Sequence, residues 1–141
     1  MSNKYIKVSE EAGKSFFSKN HGTPIVMLNL LKFNEIADYS SSPHLAPEGP
    51  ISGLEAYKLY MKSVYPLLSK ISSEMIFSGT ADQFLIGPSD EKWDAVLLVN
   101  HLNMNDFMAF ASDPEYIKIS GHRTAALADS RLLPIKQESL F

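Results

Sequence analysis

The run from Pro24 to Phe33, PIVMLNLLKF, constrains the fold of this chain more than any other segment. Its aliphatic and β-branched content, its length and the Gly-Thr-Pro break before it are typical of a β-strand. Alternation along the strand gives one set of apolar side chains on each face and puts Asn29 in the middle of one set. Because both faces are apolar, both must be covered by other elements, and Asn29 needs a hydrogen-bond partner.

Composition argues against several classes of protein. The 141 residues are enough for one domain with a core of its own, and the absence of cysteine rules out disulfides and thiolate chemistry. The net charge of −3, without a cluster of Lys or Arg, argues against nucleic acid or anionic lipid as a partner. We see no signal peptide and no run of transmembrane length, so we expect a cytoplasmic protein without a membrane partner.

A capping box predicts the start of a long amphipathic helix. Ser52 and Glu55 have the spacing at which each side chain accepts a hydrogen bond from the backbone of the other. Apolar residues then recur at spacings of three and four and predict one buried stripe: Leu54, Tyr57, Met61, Val64, Leu68 and Ile71. Pro66 removes one main-chain hydrogen bond, so we expect a kink there or a break near Tyr65.

Caps, turns and periodicity predict the remaining elements. They are a short helix capped by Ser9 and ended at residues 20–22, an extended segment at 74–86 with a bulge at Gly79, a strand at 93–101, a short helix after Asn103, a helix from Asp113 toward Leu127, and a last strand at 131–135 that Pro134 confines to a sheet edge. The strand at 93–101 is apolar on both faces, like the first strand.

The order of elements predicts an α+β, ferredoxin-like fold. A β-α-β-β-α-β succession with an antiparallel four-stranded sheet places its first and third strands in the centre. These are the two strands that are apolar on both faces, so pattern and topology agree. We divide the chain into an N-terminal helical extension, residues 1–22, and a ferredoxin-like domain, residues 23–141.

Two crossover helices can cover only one face of such a sheet. The other face would expose large apolar side chains, each worth about 1.5–3 kcal/mol when buried. We expect a second copy of the chain to cover it in a homodimer. The N-terminal helix is the competing cover, although it is short.

Residues 34–51 form a long polar connection rich in Ser, Pro and Gly. A connection of this length inside a compact domain is usually functional or disordered. Because it lacks apolar periodicity, we expect little to anchor it, and we expect it to be mobile and to border the pocket.

Four segments resemble domain-of-unknown-function family 1330, which belongs to the dimeric α/β-barrel superfamily. They are VMLNLLKF (26–33), EAYKLYMKSVYPLL (55–68), EKWDAVLLVNH (91–101) and DPEYIKISGHRTAALADSRLL (113–133). The resemblance implies ferredoxin-like subunits and a dimer, with a cavity between sheet and helices or at the dimer seam. The wider superfamily includes cofactor-free monooxygenases, lactone isomerases, decarboxylase-like enzymes and haem proteins. None of their catalytic signatures transfers to this chain residue by residue, and family 1330 carries no established reaction.

Three residues are the catalytic candidates: Asn29, His122 and Arg123. Asn29 could donate a hydrogen bond to an oxyanion, or it could tie down a neighbouring loop. Arg123 could clamp a carboxylate or enolate oxygen while His122 acts as acid or base near neutral pH. The alternative is that Arg123 forms an ion pair with Asp113, Glu115 or Asp129, beside a surface histidine.

Three aromatic residues are the ligand-binding candidates: Tyr57, Trp93 and Tyr116. Tyr57 lies in the predicted stripe, Trp93 opens the third strand, and Tyr116 shares a helical face with Arg123. Each could equally be a core residue. The four histidines are too scattered for a metal site, and no phosphate loop or dinucleotide fingerprint is present, so we expect neither metal nor cofactor.

Two functions remain open from the sequence. One is a cofactor-independent enzyme, similar to a monooxygenase or isomerase, acting on a small oxygenated or aromatic molecule. The other is a non-catalytic dimer that binds a small ligand or serves as a scaffold. The polar residues inside apolar elements suggest the first, and the same residues could be structural in the second.

Overall fold

The computed structural model describes residues 4–19 and 24–141 and shows four strands with four α-helices. In chain order they are α1 (Glu10–Phe17), β1 (Ile25–Phe33), a 3-10 turn (Pro43–Leu45), α2 (Gly53–Lys70), β2 (Glu74–Thr80), β3 (Ala95–His101), α3 (Met104–Ala111), α4 (Pro114–Ala126) and β4 (Leu127–Lys136). The predicted end of the first helix at residues 20–22 lies outside the described residues.

The strands form one antiparallel sheet in the order β2-β3-β1-β4. This order confirms the ferredoxin-like α+β fold, with β1 and β3 in the centre and β4 at an edge. In the register of the sheet, Met27 lies between Val99 of β3 and Pro134 of β4, and Asn29 lies between Leu97 and Leu132. The alternation read from the sequence therefore assigns the odd-numbered residues of both central strands to one face.

The predicted helix starts are all confirmed by hydrogen bonds. Ser9, Asn103 and Asp113 accept backbone N–H groups at the starts of α1, α3 and α4, and Ser52 with Glu55 forms the capping box of α2. The break near Tyr65 does not occur, because α2 continues through Pro66 to Lys70. Apolar side chains before and after the proline pack on the same core, and this packing outweighs one missing hydrogen bond.

Two predicted strand bounds, at residues 86 and 93, are wrong: β2 ends at Thr80 and β3 starts at Ala95.

Two further predicted details of the strands are also wrong. The bulge of β2 lies between Met75 and Phe77, so Ile76 is the extra residue and Gly79 pairs in register with Val96. The last strand starts at Leu127 rather than at residue 131, because α4 runs into β4 without a connecting loop.

Helices α2 and α4 cover one face of the sheet and enclose the main core. Its buried members are Leu31, Ala56, Tyr57, Tyr60, Val64, Leu97, Phe110, Ala126 and Leu127. Leu54, predicted as part of the buried stripe, is 46% exposed, whereas Tyr60 is buried. The stripe is thus rotated slightly around the helix, and two tyrosines rather than one face the sheet.

Within residues 4–19 and 24–141, no helix covers the opposite face of the sheet in this way. We call it the open sheet face and define it by the side chains of Val26, Leu28, Leu30, Phe77, Val96, Leu98, Leu133 and Ile135. Phe77 and Leu133 are each 54% exposed. Helix α1 does not cover them: it has no buried residue, and its Phe17 ring stacks 6.2 Å from Phe107 of α3.

The 34–51 loop is anchored, contrary to the expectation from its sequence. The amides of Asn34 and Asp38 donate to the carbonyls of Ala126 and Ala125 at 2.8 and 2.9 Å, and the Asn34 side chain also donates to Ala125. A Cβ atom at Gly121 would collide with Ser42 of the loop, so helix and loop touch closely there. Ala37, Tyr39 and Ile51 also pack against the main core, so main-chain hydrogen bonds and apolar contacts together hold the loop.

None of the helices within residues 4–19 and 24–141 combines the length and hydropathy that a membrane span requires.

We predict that replacing Met27 or Leu97 by Asp destabilises the fold by more than about 3 kcal/mol, because each change buries an unpaired charge. Met27 is 3% exposed and Leu97 is 9% exposed. Urea unfolding would measure the loss. Leu54→Asp is the matched control, since Leu54 is exposed in the first turn of α2, where an acidic residue is favourable. Equal losses in core and control variants would contradict the packing described here.

Candidate functional site

Three tyrosines meet between α2, α4 and the sheet, and we call them the tyrosine cluster: Tyr57, Tyr60 and Tyr116. The rings of Tyr57 and Tyr60 are 5.3 Å apart, and those of Tyr60 and Tyr116 are 6.3 Å apart. The hydroxyls of Tyr60 and Tyr116 are hydrogen-bonded at 3.1 Å. Tyr57 and Tyr60 are 6% and 8% exposed, so their polar ends lie inside the protein.

Arg123 of α4 lies beside the tyrosine cluster. This position agrees with the prediction that Arg123 and Tyr116 share one face of the helix. Burial raises the pKa of Tyr57 to about 12, against the opposing effects of the nearby Arg123 charge and its hydrogen bond. Burial also raises the pKa of Tyr60 well above its ordinary value, and the neighbouring Tyr116 adds to the rise. At neutral pH these hydroxyls stay protonated, so the cluster consists of hydrogen-bond donors around one fixed positive charge.

The guanidinium of Arg123 donates to the main-chain carbonyl of Ile6 and, at 3.5 Å, to the Ser130 hydroxyl. The alternative prediction, an ion pair with Asp113, Glu115 or Asp129, is wrong. Each of these carboxylates has another partner: Asp113 caps α4, Glu115 pairs with Lys118, and Asp129 pairs with Arg131.

The acceptor at Arg123 comes from a segment that we call the N-terminal strap, residues 4–8. The Tyr5 amide donates to Asp129 at 2.9 Å, and the Ser130 hydroxyl donates to the Tyr5 carbonyl. The side chain of Ile6 packs against the main core. The strap therefore covers the β4 side of the tyrosine cluster and fills the hydrogen-bonding position in front of Arg123.

His122 points to a different neighbour. Its Nδ1 lies 2.7 Å from the hydroxyl of Tyr39 in the 34–51 loop, and the two rings meet edge-on. Burial lowers the pKa of His122 and raises the pKa of Tyr39, so near pH 7 a protonated tyrosine donates to a neutral imidazole. Tyr39 lies in a stretch without periodicity, and no signal in the sequence indicated it.

Asn29 makes a local contact rather than a long-range one. Its side-chain amide donates to the carbonyl of Met27, two residues back, at 3.2 Å. The side chain lies on the sheet face that the helices cover and is only partly buried. The contact lies within β1, so Asn29 does not tie down a neighbouring loop through it, and among the described residues no side chain of the tyrosine cluster bonds to Asn29.

Trp93 also lies apart from the tyrosine cluster. Although it is 3% exposed, it does not belong to the core under the helices, and its Nε1 donates to Glu91 at 2.9 Å. Its ring lies 4.9 Å from the guanidinium of Arg131. Asp94 accepts the amide of Phe33 in β1 at 2.8 Å.

A further buried histidine was not among the candidates. His101, 3% exposed, is hydrogen-bonded through Nδ1 to the hydroxyl of Ser73 at 2.6 Å, and its ring packs 4.6 Å from Phe107. Burial lowers the pKa of His101 to about 4. Ser73 is positioned by the end of α2, where Ser72 takes a left-handed conformation (φ 56°) and the Ser73 amide donates to Leu68.

The surface carries a shallow depression of about 350 Å³, lined by Pro47, Ile51, Glu55, Lys58 and Leu59. The 34–51 loop borders it, but none of the predicted site residues does. Among the residues that the structure describes, no group of three or more His, Asp or Glu side chains could hold a metal ion.

The predicted site is therefore divided. Tyr57, Tyr116 and Arg123 come together, and Tyr60 completes their cluster. His122, Asn29 and Trp93 each have partners elsewhere.

The chain matches no protein-family model and no curated protein. It is similar to the RPA0582 protein of Rhodopseudomonas palustris, which is described as being of unknown function. Two crystal structures of that protein, one of them of a methylated form, align with TM-scores of 0.87 and 0.86 at 29% identity. Each alignment covers 97% of this chain and 97% or 99% of the other.

More distant structures share the fold. The At3g17210 protein of Arabidopsis thaliana has a TM-score of 0.51 at 12% identity over 83% of this chain and 98% of its own. A protein from Jannaschia sp. CCS1, described as dimeric, ferredoxin-like and of unknown function, has a TM-score of 0.50 at 11% identity over 81% of this chain and 99% of its own. The alignment with RPA0582 extends over 97% of the chain, so it includes structure beyond the part that these two proteins share.

We predict that acidification destabilises the protein through His101. The His101 imidazole takes up a proton near pH 6.5 in the unfolded chain and near pH 4 in the folded chain. The stability that the neutral imidazole contributes above pH 6.5 is therefore lost as the pH falls from 6.5 to 4. We expect a loss of roughly 2 kcal/mol after allowance for solvent screening. Unfolding at several pH values would measure it, and an NMR titration of the His101 ring would assign it. A His101 ring that titrates near pH 6.5 in the folded protein would contradict this.

Proposed function

We propose that this protein binds a small molecule through a carboxylate or enolate oxygen at Arg123 and the tyrosine cluster, and that it does so as a homodimer. The observation that carries the proposal is the convergence of a guanidinium and tyrosine hydroxyls inside an apolar core. Buried polar groups are expensive unless they are paired, so such a concentration favours a binding role.

The chemistry of the cluster defines the ligand class. Arginine has no acceptor, and the raised pKa values of Tyr57 and Tyr60 keep their hydroxyls protonated as donors. A ligand that fits must bring acceptor oxygens, preferably with negative charge. A carboxylate or enolate satisfies this, and the planar guanidinium can meet a carboxylate with two parallel hydrogen bonds.

Access to Arg123 depends on the N-terminal strap. In this structure the carbonyl of Ile6 accepts the hydrogen bond that a ligand oxygen would accept. A ligand therefore replaces a neutral acceptor by a charged one, which strengthens the bond to Arg123. The strap residues 4, 5, 7 and 8 are exposed, so displacement of Ile6 would break few other apolar contacts.

The homodimer rests on the open sheet face. Burial of several of its large side chains, each contributing about 1.5–3 kcal/mol, would stabilise association with a second copy. The Jannaschia protein with the same fold is described as dimeric. The resemblance of four segments to family 1330, whose superfamily is dimeric, supports the same arrangement, and we include membership of that family in the proposal.

The second candidate function is a cofactor-independent enzyme on the same class of small molecule. The pair of Tyr39 and His122 favours it, because a neutral imidazole bonded to a protonated phenol can move a proton. In that mechanism Arg123 and Asn29 would hold developing negative charge. The mechanism requires a ligand long enough to reach both Arg123 and His122. The two side chains have different surroundings, since His122 bonds to Tyr39 and Arg123 bonds to Ile6 and Ser130.

We predict that Arg123→Gln weakens binding of benzoate at least tenfold, because a charged hydrogen bond of about 1.5–3 kcal/mol is lost. The same change should lower stability by only about 1 kcal/mol, from the lost bonds to Ile6 and Ser130. Calorimetry would measure the affinity, and thermal unfolding the stability.

Lys118→Gln is the matched control, since Lys118 is an exposed cation on the same helix and pairs with Glu115. Tyr60→Phe should also weaken benzoate, because it removes one donor with little change in volume. Unchanged affinity with a sharp loss of stability in Arg123→Gln would make Arg123 an anchor of the strap instead. If the protein turns over a bound ligand and His122→Gln abolishes this turnover, the enzyme would be favoured.

We predict a particle of twice the 15.7 kDa chain mass in light scattering at micromolar concentration. Leu28→Asp should convert it to single chains, because it puts a charge in the centre of the open sheet face. Leu59→Asp, on the outer surface of α2, should leave the dimer intact. A wild-type species of 15.7 kDa would refute the dimer.

A further inference from the structure

A second arginine is held between two aromatic rings on the opposite side of the sheet from Arg123. The guanidinium carbon of Arg131 lies 4.7 Å from the ring centroid of Tyr5 and 4.9 Å from that of Trp93. Register places Arg131 opposite Leu30, so its side chain starts from the open sheet face. Contacts of this kind shield part of a guanidinium from water, while its N–H groups bond to polar partners in the plane of the group.

One end of this edge is fixed by the protein. Nη1 of Arg131 donates to Asp129 at 2.7 Å and to the Ser130 carbonyl at 2.8 Å. Burial would raise the pKa of Asp129, but hydrogen bonds from the Tyr5 amide, Arg131 and the Ser130 amide lower it, so the carboxylate stays charged. Asp129 thereby orients the fork, and its Oδ1 atom also accepts the amides of Tyr5 and Ser130.

The other end of the edge is free. Nε and Nη2 of Arg131 have no partner among the described residues, and the side chain is 38% exposed. Asp129 already accepts the amides of Tyr5 and Ser130, and Glu91 accepts the indole N–H of Trp93. Lys32, which faces Asp129 in the register of β1 and β4, adds a positive charge on the same face.

We propose that the free edge of Arg131, between Tyr5 and Trp93, is a second binding site for a small carboxylate. Nε and Nη2 are parallel donors at the spacing of two carboxylate oxygens, so the ligand binds in the plane of the guanidinium. The aromatic rings pre-orient the fork and lower the local dielectric, which strengthens the bonds that it makes. This site is distinct from the one at Arg123, although the N-terminal strap contacts both arginines.

The proposed dimer makes an acceptor at this position more necessary. If a second copy covers the open sheet face, water leaves the neighbourhood of Arg131. An unpaired guanidinium edge is costly in such surroundings, so an acceptor must reach it. A bound carboxylate meets this requirement, and a carboxylate of the second copy is the competing occupant that the experiment must distinguish.

The chain contains one tryptophan, so its fluorescence reports on this site alone. We expect Trp93 emission to change saturably when acetate is added, with chloride at equal ionic strength as the reference. Arg131→Gln should weaken this response at least tenfold, and Arg131→Lys should weaken it as well, because lysine keeps the charge and loses the fork. Lys118→Gln should leave it unchanged, since Lys118 is an exposed cation on α4 that pairs with Glu115. The two proposals stay distinguishable, because benzoate binding can be absent from the wild-type protein while the Trp93 response to acetate persists.

Absence of a saturable response in the wild-type protein would overturn the proposal, as would an equal response in Arg131→Gln. A second measurement needs no variant: the Arg131 Nε–H signal in a ¹H–¹⁵N spectrum of the native protein should shift on addition of acetate. If this signal is protected and does not respond to acetate in the dimer, a carboxylate of the second copy occupies the edge and the proposal is wrong.

Discussion

The pairing of two central strands that are apolar on both faces determines the rest of this structure. Leu31 and Leu97 need a cover on one side, and Leu28 and Leu98 need one on the other. Helices α2 and α4 supply the first cover and place the tyrosine cluster inside it. On the second face Leu28 and Leu98 are partly buried, while Phe77 and Leu133 are each 54% exposed.

The direct passage from α4 to β4 explains how the surrounding segments are held. A helix leaves its last carbonyls without partners, and a connecting loop often satisfies them. Here the carbonyls of Ala125 and Ala126 accept amides from the 34–51 loop instead, which ties that loop to the helix. Tyr39 is thereby placed beside His122. A connection without an apolar pattern becomes ordered through main-chain bonds, which a hydrophobic pattern cannot indicate.

The sequence was sufficient for the fold and for part of the site. The order of the strands follows from the apolar periodicity. The start of α2 follows from the capping box of Ser52 and Glu55, and the edge position of β4 follows from Pro134, because these are local signals. The proximity of Tyr57, Tyr116 and Arg123 follows from helical spacing once α2 and α4 cover the same face of the sheet. The partners of Arg123 could not be predicted, because they depend on where the N-terminal strap crosses β4. The bulge at Ile76 likewise depends on packing between strands, whereas Gly79 was the only local signal.

The N-terminal strap couples the two faces of the sheet. Neighbouring residues of β4 point to opposite sides, so Ser130 faces the interior near Arg123 while Asp129 and Arg131 face outward. The strap bonds to both: the Tyr5 amide holds Asp129, the Tyr5 carbonyl accepts from Ser130, and the Ile6 carbonyl accepts from Arg123. The Tyr5 ring is at the same time one wall of the Arg131 sandwich. A ligand that displaces Ile6 from Arg123 would therefore also move Tyr5 from Arg131, so occupation of the inner site should weaken the outer one. Such coupling is reciprocal, and it arises from a single segment that is bonded at both sites.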